Sequence, residues 1–320
     1  MKFIVMNKII NFHLVKDSFW FENMICYLKS KYTFITTDVL NEFYHDHINL
    51  KDTCHITVDD GEISFYNVIF PVLKKYNVPA SIYVSPRISK EKSNYWFQEV
   101  NGYDPLELKR IIADMLNIPL KSIFKFSSDS ILKTQKISKI QEIIERYRKS
   151  TNSPAKSFQN MTVDNLKEVF QSGLLTIGAH TLNHPILMNE DDLTSKYEIT
   201  ESVNELSDLL NHEIKYFAYP NGIPFLDFAE REKKCIQEID IKLTFSTESK
   251  NLSLSDDKTS IPRIGISDGE RLPFFKTKML LGSNWETITY LKPTGEKRER
   301  KELKRIFSFP IHSRDINESI

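Results

Sequence analysis

The sequence predicts an α/β fold built on a parallel sheet, either a barrel or a doubly wound sheet, with a helical segment inserted in it. Short β-rich apolar runs alternate with amphipathic helical stretches along both halves of the chain. A strand–helix–strand order implies parallel strands joined by crossover helices. The polar clusters each follow a predicted strand, where parallel α/β proteins place their chemistry.

Residues 8–14, Lys-Ile-Ile-Asn-Phe-His-Leu, read as a short buried strand ending at His13. Residues 18–31 have helical spacing, with Phe19, Phe21, Met24, Ile25 and Leu28 apolar. Residues 53–58 are β-rich and run into Asp59-Asp60-Gly61. A helix with Val68, Ile69, Val72, Leu73 and Tyr76 on one face follows, and residues 79–84 form the next strand. Residues 86–160 break the alternation, with helices predicted at 105–117, 119–126 and 135–149. The segment reads as an inserted subdomain, either scaffold or a substrate-covering cap. The β/α pattern resumes with helix Leu166–Phe170, strand Leu174–Ile177, helix 190–211 and strand Tyr216–Ala218. Helix 225–238 and strand Ile241–Phe245 complete it. The predicted organisation is therefore a β/α body over 1–85 and 161–285, a helical insertion over 86–160 and a basic tail over 286–320. Within the tail, residues 291–305 interleave Lys and Arg with Glu and read as a solvated helix face. A weak contact with an anionic membrane surface is the second reading of that stretch.

The 320 residues carry 43 basic and 43 acidic side chains, so no global field draws the protein to nucleic acid. Substrate preference must come from a local site. Cys26, Cys54 and Cys235 are odd in number and widely spaced, which excludes a disulfide framework or thiolate zinc site. The N-terminal apolar run is broken by Asn7 and Lys8, and no stretch is long and apolar enough to span a bilayer. A cytoplasmic location is the expectation.

Asp59-Asp60-Gly61 places two adjacent acids at a buried strand end, where each carboxylate must be paired, hydrogen-bonded or metal-bound. Taken alone, Asp-Gly is a common turn former. His180 and His184 lie four residues apart after a strand, between Gly178 and Pro185, so both rings can converge on one ion. Tyr216-Phe-Ala-Tyr-Pro-Asn-Gly222 ends in a tight corner that can aim backbone N–H groups into a site. Together these supply one carboxylate and two imidazoles, the three-ligand set of a catalytic metal site with open positions. Imidazole suits zinc, cobalt, nickel or iron. A bound cation would acidify water and polarise a carbonyl, and the spare carboxylate can serve as base.

These residues resemble the NodB-type polysaccharide deacetylases, carbohydrate esterase family 4. Thr57-Val-Asp-Asp-Gly61 looks like the first motif of that family. His180-Thr-Leu-Asn-His184 looks like the second, and Phe217-Ala-Tyr-Pro-Asn-Gly222 like a variant third. The resemblance spans roughly residues 8–265 and implies a distorted β/α barrel, the NodB homology domain. It implies Asp59 as general base and one divalent metal, zinc before cobalt, nickel or iron, held by Asp60, His180 and His184. It also implies a backbone N–H near Asn221 as an oxyanion donor.

Two positions depart from the family pattern. Many members carry an Arg in the third motif, where this chain has Ala218; Arg263, in Ile261-Pro-Arg-Ile-Gly-Ile266, is the residue that can supply that charge from another loop. The C-terminal Leu-x-His motif that carries the general acid is missing. Ile10-Asn-Phe-His13 resembles instead the N-terminal Tyr-His strand of the poly-N-acetylglucosamine deacetylases, which look like circular permutations of the family. His13 is thereby assigned as the acid, the alternative being a satisfied core histidine. The implied substrate is an N-acylated amino sugar, GlcNAc-like and lipid- or nucleotide-linked in cell-envelope polysaccharide synthesis. Tyr95, Trp96 and Phe97 are placed either against its rings or in the core. Hydrolysis of a non-sugar amide or ureide, and a silent-site binding or scaffold protein, are the competing readings.

Overall fold

The computed structural model describes residues 6–281 and 295–308. The chain divides into two compact units, one of residues 1–94 and 158–288 and the other of residues 95–157 and 289–320.

The first unit is a parallel sheet wrapped by helices. Its strands are β1 (Lys8–Phe12), β2 (Thr33–Phe34), β3 (Thr53–Val58), β4 (Ala80–Val84), β5 (Leu175–Ala179), β6 (Tyr216–Ala218), β7 (Leu243–Phe245) and β8 (Ile264–Gly265). They pair in the order β7-β6-β5-β4-β3-β1-β8, with β2 on β3. Every strand pair is parallel. A single parallel bridge, Phe245 with Ile261, ties β7 to the segment that continues into β8. β8 in turn pairs with β1, at Ile10 with Ile264. One short segment thus joins the two ends of the sheet, and the fold is a distorted β/α half-barrel.

The pleat sorts the side chains. Ile10, Phe12, Cys54, Ile56 and Val58 face a large apolar cluster shared with the surrounding helices. Their alternates, Ile9, Tyr83, Tyr216, Ala218, Leu243 and Phe245, face the opposite way into a second cluster inside the curve of the sheet. Asn11, His13, Thr57 and Asp59 share the parity of that inner face.

The crossover helices are amphipathic: α1 (Ser18–Lys29) buries Phe21, Met24, Ile25 and Leu28 and is N-capped by Asp17. α2 is Thr37–His45, and the helix after β3 opens with one π turn, Phe65–Ile69, before α3, Phe70–Tyr76. That wide turn shifts the buried face, so Phe65 and Phe70 are core while Val68 is only half-buried. The short helix α4 (Pro86–Glu91) follows β4.

The second unit contains α5 (Trp96–Val100), α6 (Pro105–Met115), α7 (Leu120–Ile123), α8 (Ser128–Leu132) and α9 (Ile137–Thr151). Its own core includes Trp96, Leu108, Ile112, Ile131 and Ile140. Tyr95 and Trp96 are buried, and Tyr95 stacks on Phe97 at 5.1 Å between centroids. Of the two placements open to these aromatics, Tyr95 and Trp96 take the core one.

The first unit resumes with α10 (Val163–Gln171), α11 (Asp192–Leu210), α12 (Glu230–Glu238) and α13 (Leu272–Leu281). Helix α12 starts five residues later than the periodicity of 225–238 predicts, because residues 223–228 are folded into a turn around Asp227.

The last described helix, α14 (Glu296–Ser308), groups with the second unit and is not a separate solvated tail. Leu303 joins the core of that unit, with Ile306 and Phe307 packed against it. Arg300 is fully buried and donates to Glu296 and to the Lys133 carbonyl. The apolar residues three and four apart lie at the end of the charged run, and their face outweighs it. The parts of the predicted tail at 286–294 and 309–320 lie outside the described residues. No helix among the described residues is long and apolar enough to cross a membrane.

Candidate active site

The site forms at the C-terminal ends of the strands. The Asp59 N–H donates to the Phe12 carbonyl at 3.0 Å and that of His180 to Val84 at 3.0 Å, carrying the sheet one step past β3 and β5. The polar residues after the strands are therefore held by the ladder itself. Gly178 is required by this packing: a Cβ there would stand 2.5 Å from the Tyr83 ring and 2.7 Å from the Tyr216 carbonyl. Asp60 and Gly61 both adopt positive φ, 75° and 71°, which turns the chain sharply after Asp59. The two neighbouring carboxylates are thereby sent to different partners.

Asp60 faces the two histidines. Its Oδ1 lies 3.5 Å from His180 Nε2 and 3.4 Å from His184 Nε2. Donor atoms of the three residues all lie within 4.8 Å of one another. Ligands of one zinc-sized ion, at bonds of about 2.0–2.2 Å, stand about 3.3–3.6 Å apart at tetrahedral angles. The donor set and its spacing fit a divalent transition metal. His180 is also oriented for ligation. Its Nδ1 lies 2.6 Å from the Ala218 carbonyl, which can only accept, so the proton sits on Nδ1 and the Nε2 lone pair is free to ligate. Burial lowers the His184 pKa, opposed by Asp60, and favours the neutral ring a ligand needs. For Asp60 burial opposes the charge, yet the facing His180 and His184 side chains hold the carboxyl well below its usual range.

Asp59 faces Arg263. The guanidinium makes a two-point contact, Nη1 to Oδ1 at 2.7 Å and Nη2 to Oδ2 at 2.8 Å. The arginine is fully buried and Asp59 is 2% exposed. Arg263 Nε donates to the Ser246 carbonyl, and Nη1 also reaches Asn11 and Thr57. Tyr83 and Phe245 flank the guanidinium at 5.7 Å. Asn11 Nδ2 gives Asp59 Oδ2 a further bond at 3.0 Å. Burial works against the Asp59 charge, but Arg263, then His180 and His13, more than offset it, so the carboxyl is held ionised. Ala218, the family's arginine position, lies buried beside these residues, and the guanidinium arrives from the 261–265 segment.

His13 Nε2 is 3.7 Å from Asp59 Oδ2, and the side chain is 48% exposed. A core histidine is thereby ruled out. His55, by contrast, is a fully buried histidine away from the ligand set: Nδ1 donates to the Ile35 carbonyl and Nε2 meets Ser81 Oγ at 2.7 Å. Burial lowers its pKa to about 4, so it is a neutral interior residue.

Asn221 sits in the corner after β6 with φ of 57°. Its side chain donates to Asp227 Oδ2 at 2.6 Å, the same oxygen that accepts from the Ile223 N–H at 2.8 Å. The structure thus brings Asp59, Asp60, His180, His184, Arg263 and His13 to the same strand ends, with Asn221 on the adjoining loop. Glu198 and Asp227 had no motif to point to them, and Asn11 and Thr57 lie inside motif segments but were assigned no role. Asn11 did carry a signal, a polar residue two before His13 between apolar neighbours.

Residues 48–236 match the family model described as polysaccharide deacetylase. No curated protein matches the chain. Among solved structures it is similar to the deacetylase PplD of Streptococcus pyogenes in complex with acetate. The identity is 18%, the TM-score 0.58, and 86% of this chain and 99% of that one are covered. It is similar to IcaB of Ammonifex degensii at 17% identity and TM-score 0.56, covering 86% and 97%. The BpsB deacetylase domain of Bordetella bronchiseptica aligns at 14% identity and TM-score 0.54, covering 82% and 97%. At these identities the structural matches establish the fold.

Proposed function

The chain belongs to the polysaccharide deacetylase family, and from that premise we propose that it is a metal-dependent N-deacetylase hydrolysing the amide of an N-acylated amino sugar. The observation that carries this reading is the pairing of two centres through the neighbouring carboxylates that follow β3. Asp60, His180 and His184 form a metal-binding donor set, and Asp59, locked by Arg263, lies beside it.

Asp60, His180 and His184 would hold the metal, which when bound supplies an acidified water and a polarised acyl carbonyl. Asp59 takes the proton of the attacking water as its oxygen bonds to the acyl carbon. Arg263 fixes the carboxylate plane and keeps it ionised before the reaction. The N–H at Asn221 is the donor we assign to the oxygen that gains charge. His13, half-exposed and next to Asp59, protonates the amine nitrogen as the C–N bond breaks. The products are a carboxylic acid and a free amino sugar. A GlcNAc-like unit is the sugar we assign, either in an oligomer or on a nucleotide or lipid carrier.

The test uses protein purified without added metal. Bound transition metal is measured, and acetate release is followed from N-acetylglucosamine oligomers and UDP-N-acetylglucosamine, with Asp60→Ala as control. About one metal per chain, lost in the variant together with acetate release, is the expected result. Failure to bind zinc, cobalt or nickel overturns the metal reading. Metal binding without acetate release, from either these substrates or a lipid-linked sugar, overturns the substrate assignment.

A further inference from the structure

The loop that carries both histidine ligands is strained. Thr181 has φ of 61° and His184 φ of 56°. A β-branched residue rarely occupies the left-handed region, so Thr181 stays there only because its surroundings hold it. Part of the hold is local: Thr181 Oγ1 donates to the His180 carbonyl at 2.6 Å and accepts the His184 N–H at 3.1 Å. Ser85 Oγ donates to the same His180 carbonyl from the end of β4.

The rest of the hold comes from outside the motif. Glu198, in the second turn of α11, turns its carboxylate onto the apex of the loop. Oε2 accepts the backbone N–H groups of Leu182 at 3.0 Å and Asn183 at 2.9 Å. Oε1 accepts the Asn183 side-chain amide at 2.6 Å. Glu198 is 3% exposed. Arg87, whose charge reaches Glu198, is bonded to Glu205. A buried carboxylate with three N–H donors and no ion pair among the described residues is costly, and burial does push its pKa up, opposed by those donors and by the Arg87 charge. Such a group is retained where an acceptor-only side chain does something a neutral one cannot. Here both oxygens accept, Oε2 from two adjacent backbone N–H groups and Oε1 from the Asn183 amide, which a side-chain amide cannot do with both its ends, at a turn whose geometry sets both imidazoles.

We propose that Glu198 is a positioning residue for the metal centre, holding the Leu182–Asn183 turn so that His180 and His184 both present Nε2 to Asp60. This rests on the reading that these three residues bind a metal, and it is independent of the substrate. Glu198→Gln keeps the volume but sets an NH₂ group against at least one of the three donors, the Asn183 amide or the backbone pair. Zinc affinity of the metal-free protein is measured by competition with a chelating dye. The visible spectrum of the cobalt-loaded protein and the melting temperature of the apo form are measured beside it. Glu198→Gln is expected to bind zinc about 10–100-fold more weakly, as changes behind a metal ligand do, and to alter the cobalt bands. Asn183→Ala, a change at a half-buried site that removes one of the three bonds, is expected to shift both readouts in the same direction by less. It decides the matter should Glu198→Gln not fold. Zinc affinity and cobalt bands unchanged from wild type, whatever the melting temperature, would overturn the proposal. Wild-type protein that binds no zinc would overturn it together with the metal reading. Zinc binding without acetate release would overturn only the assigned activity.

Discussion

Asp59 and Arg263 are 204 residues apart and almost wholly buried, and removing either should leave the other as an uncompensated charge. Arg263→Met preserves most of the volume while deleting both bonds to the carboxylate. Breaking a buried, hydrogen-bonded pair from one side typically destabilises by about 3–5 kcal/mol. The two short bonds and the flanking Tyr83 and Phe245 rings place this pair in that range. The pH dependence has a definite sign. Asp59 has a lowered folded pKa, so its contribution is present above the unfolded value and is lost as pH falls through the folded one. Without Arg263, the principal group lowering that pKa, the acid limb of both stability and turnover should move to higher pH. The assay is a double-mutant cycle by urea denaturation on wild type, Arg263→Met, Asp59→Asn and the double variant at pH 7. In the double variant neither buried charge of the pair remains, so its loss should be well below the sum of the single losses. Additivity within about 0.5 kcal/mol would refute the argument that these two side chains act as one charged unit.

Other consequences are smaller in scope. His13→Gln should lower kcat about 10²–10⁴-fold while leaving zinc affinity unchanged, since His13 is placed to move a proton and lies outside the ligand set; a parallel loss of metal would remove it from the acid role. Lys8 is buried, and desolvation lowers its pKa from 10.5 to about 8, so the folded state binds fewer protons than the unfolded one between those values. Stability should therefore rise with pH across about 8 to 10.5, and melting temperatures of Lys8→Met should show a flatter slope there. Gly178→Ala forces a methyl against the Tyr83 ring and the Tyr216 backbone and should destabilise by about 1–3 kcal/mol. A melting temperature equal to wild type would show that the inner face of the sheet yields more easily than its packing implies.

Much of this protein was legible in one dimension, and the reason is local. Strand Thr53–Val58 and the strands ending at Val84 and Ala218 are set by short apolar runs, whose period and bounding polar residues lie within a few positions. The proposed metal set was legible because Asp60 lies two residues past a strand and His180 and His184 share one loop. The same local signals failed where partners are remote. The helix predicted over 225–238 loses its first turn to Asp227, which folds residues 223–228 around its own carboxylate. The charged stretch ending in α14 looked solvated, yet Leu303 and Arg300 are buried with helices far earlier in the chain. Arg263 could be named from sequence as a source of charge, but its two-point grip on Asp59 could not. Nor could the hold of Glu198 on the histidine loop or that of Asn11 on the base. Residue type and spacing decide which groups can ligate or titrate. Which oxygen each one faces is decided by strand ends and helices brought together from across the chain, because a hydrogen bond depends on distances of a few tenths of an ångström that no local pattern encodes.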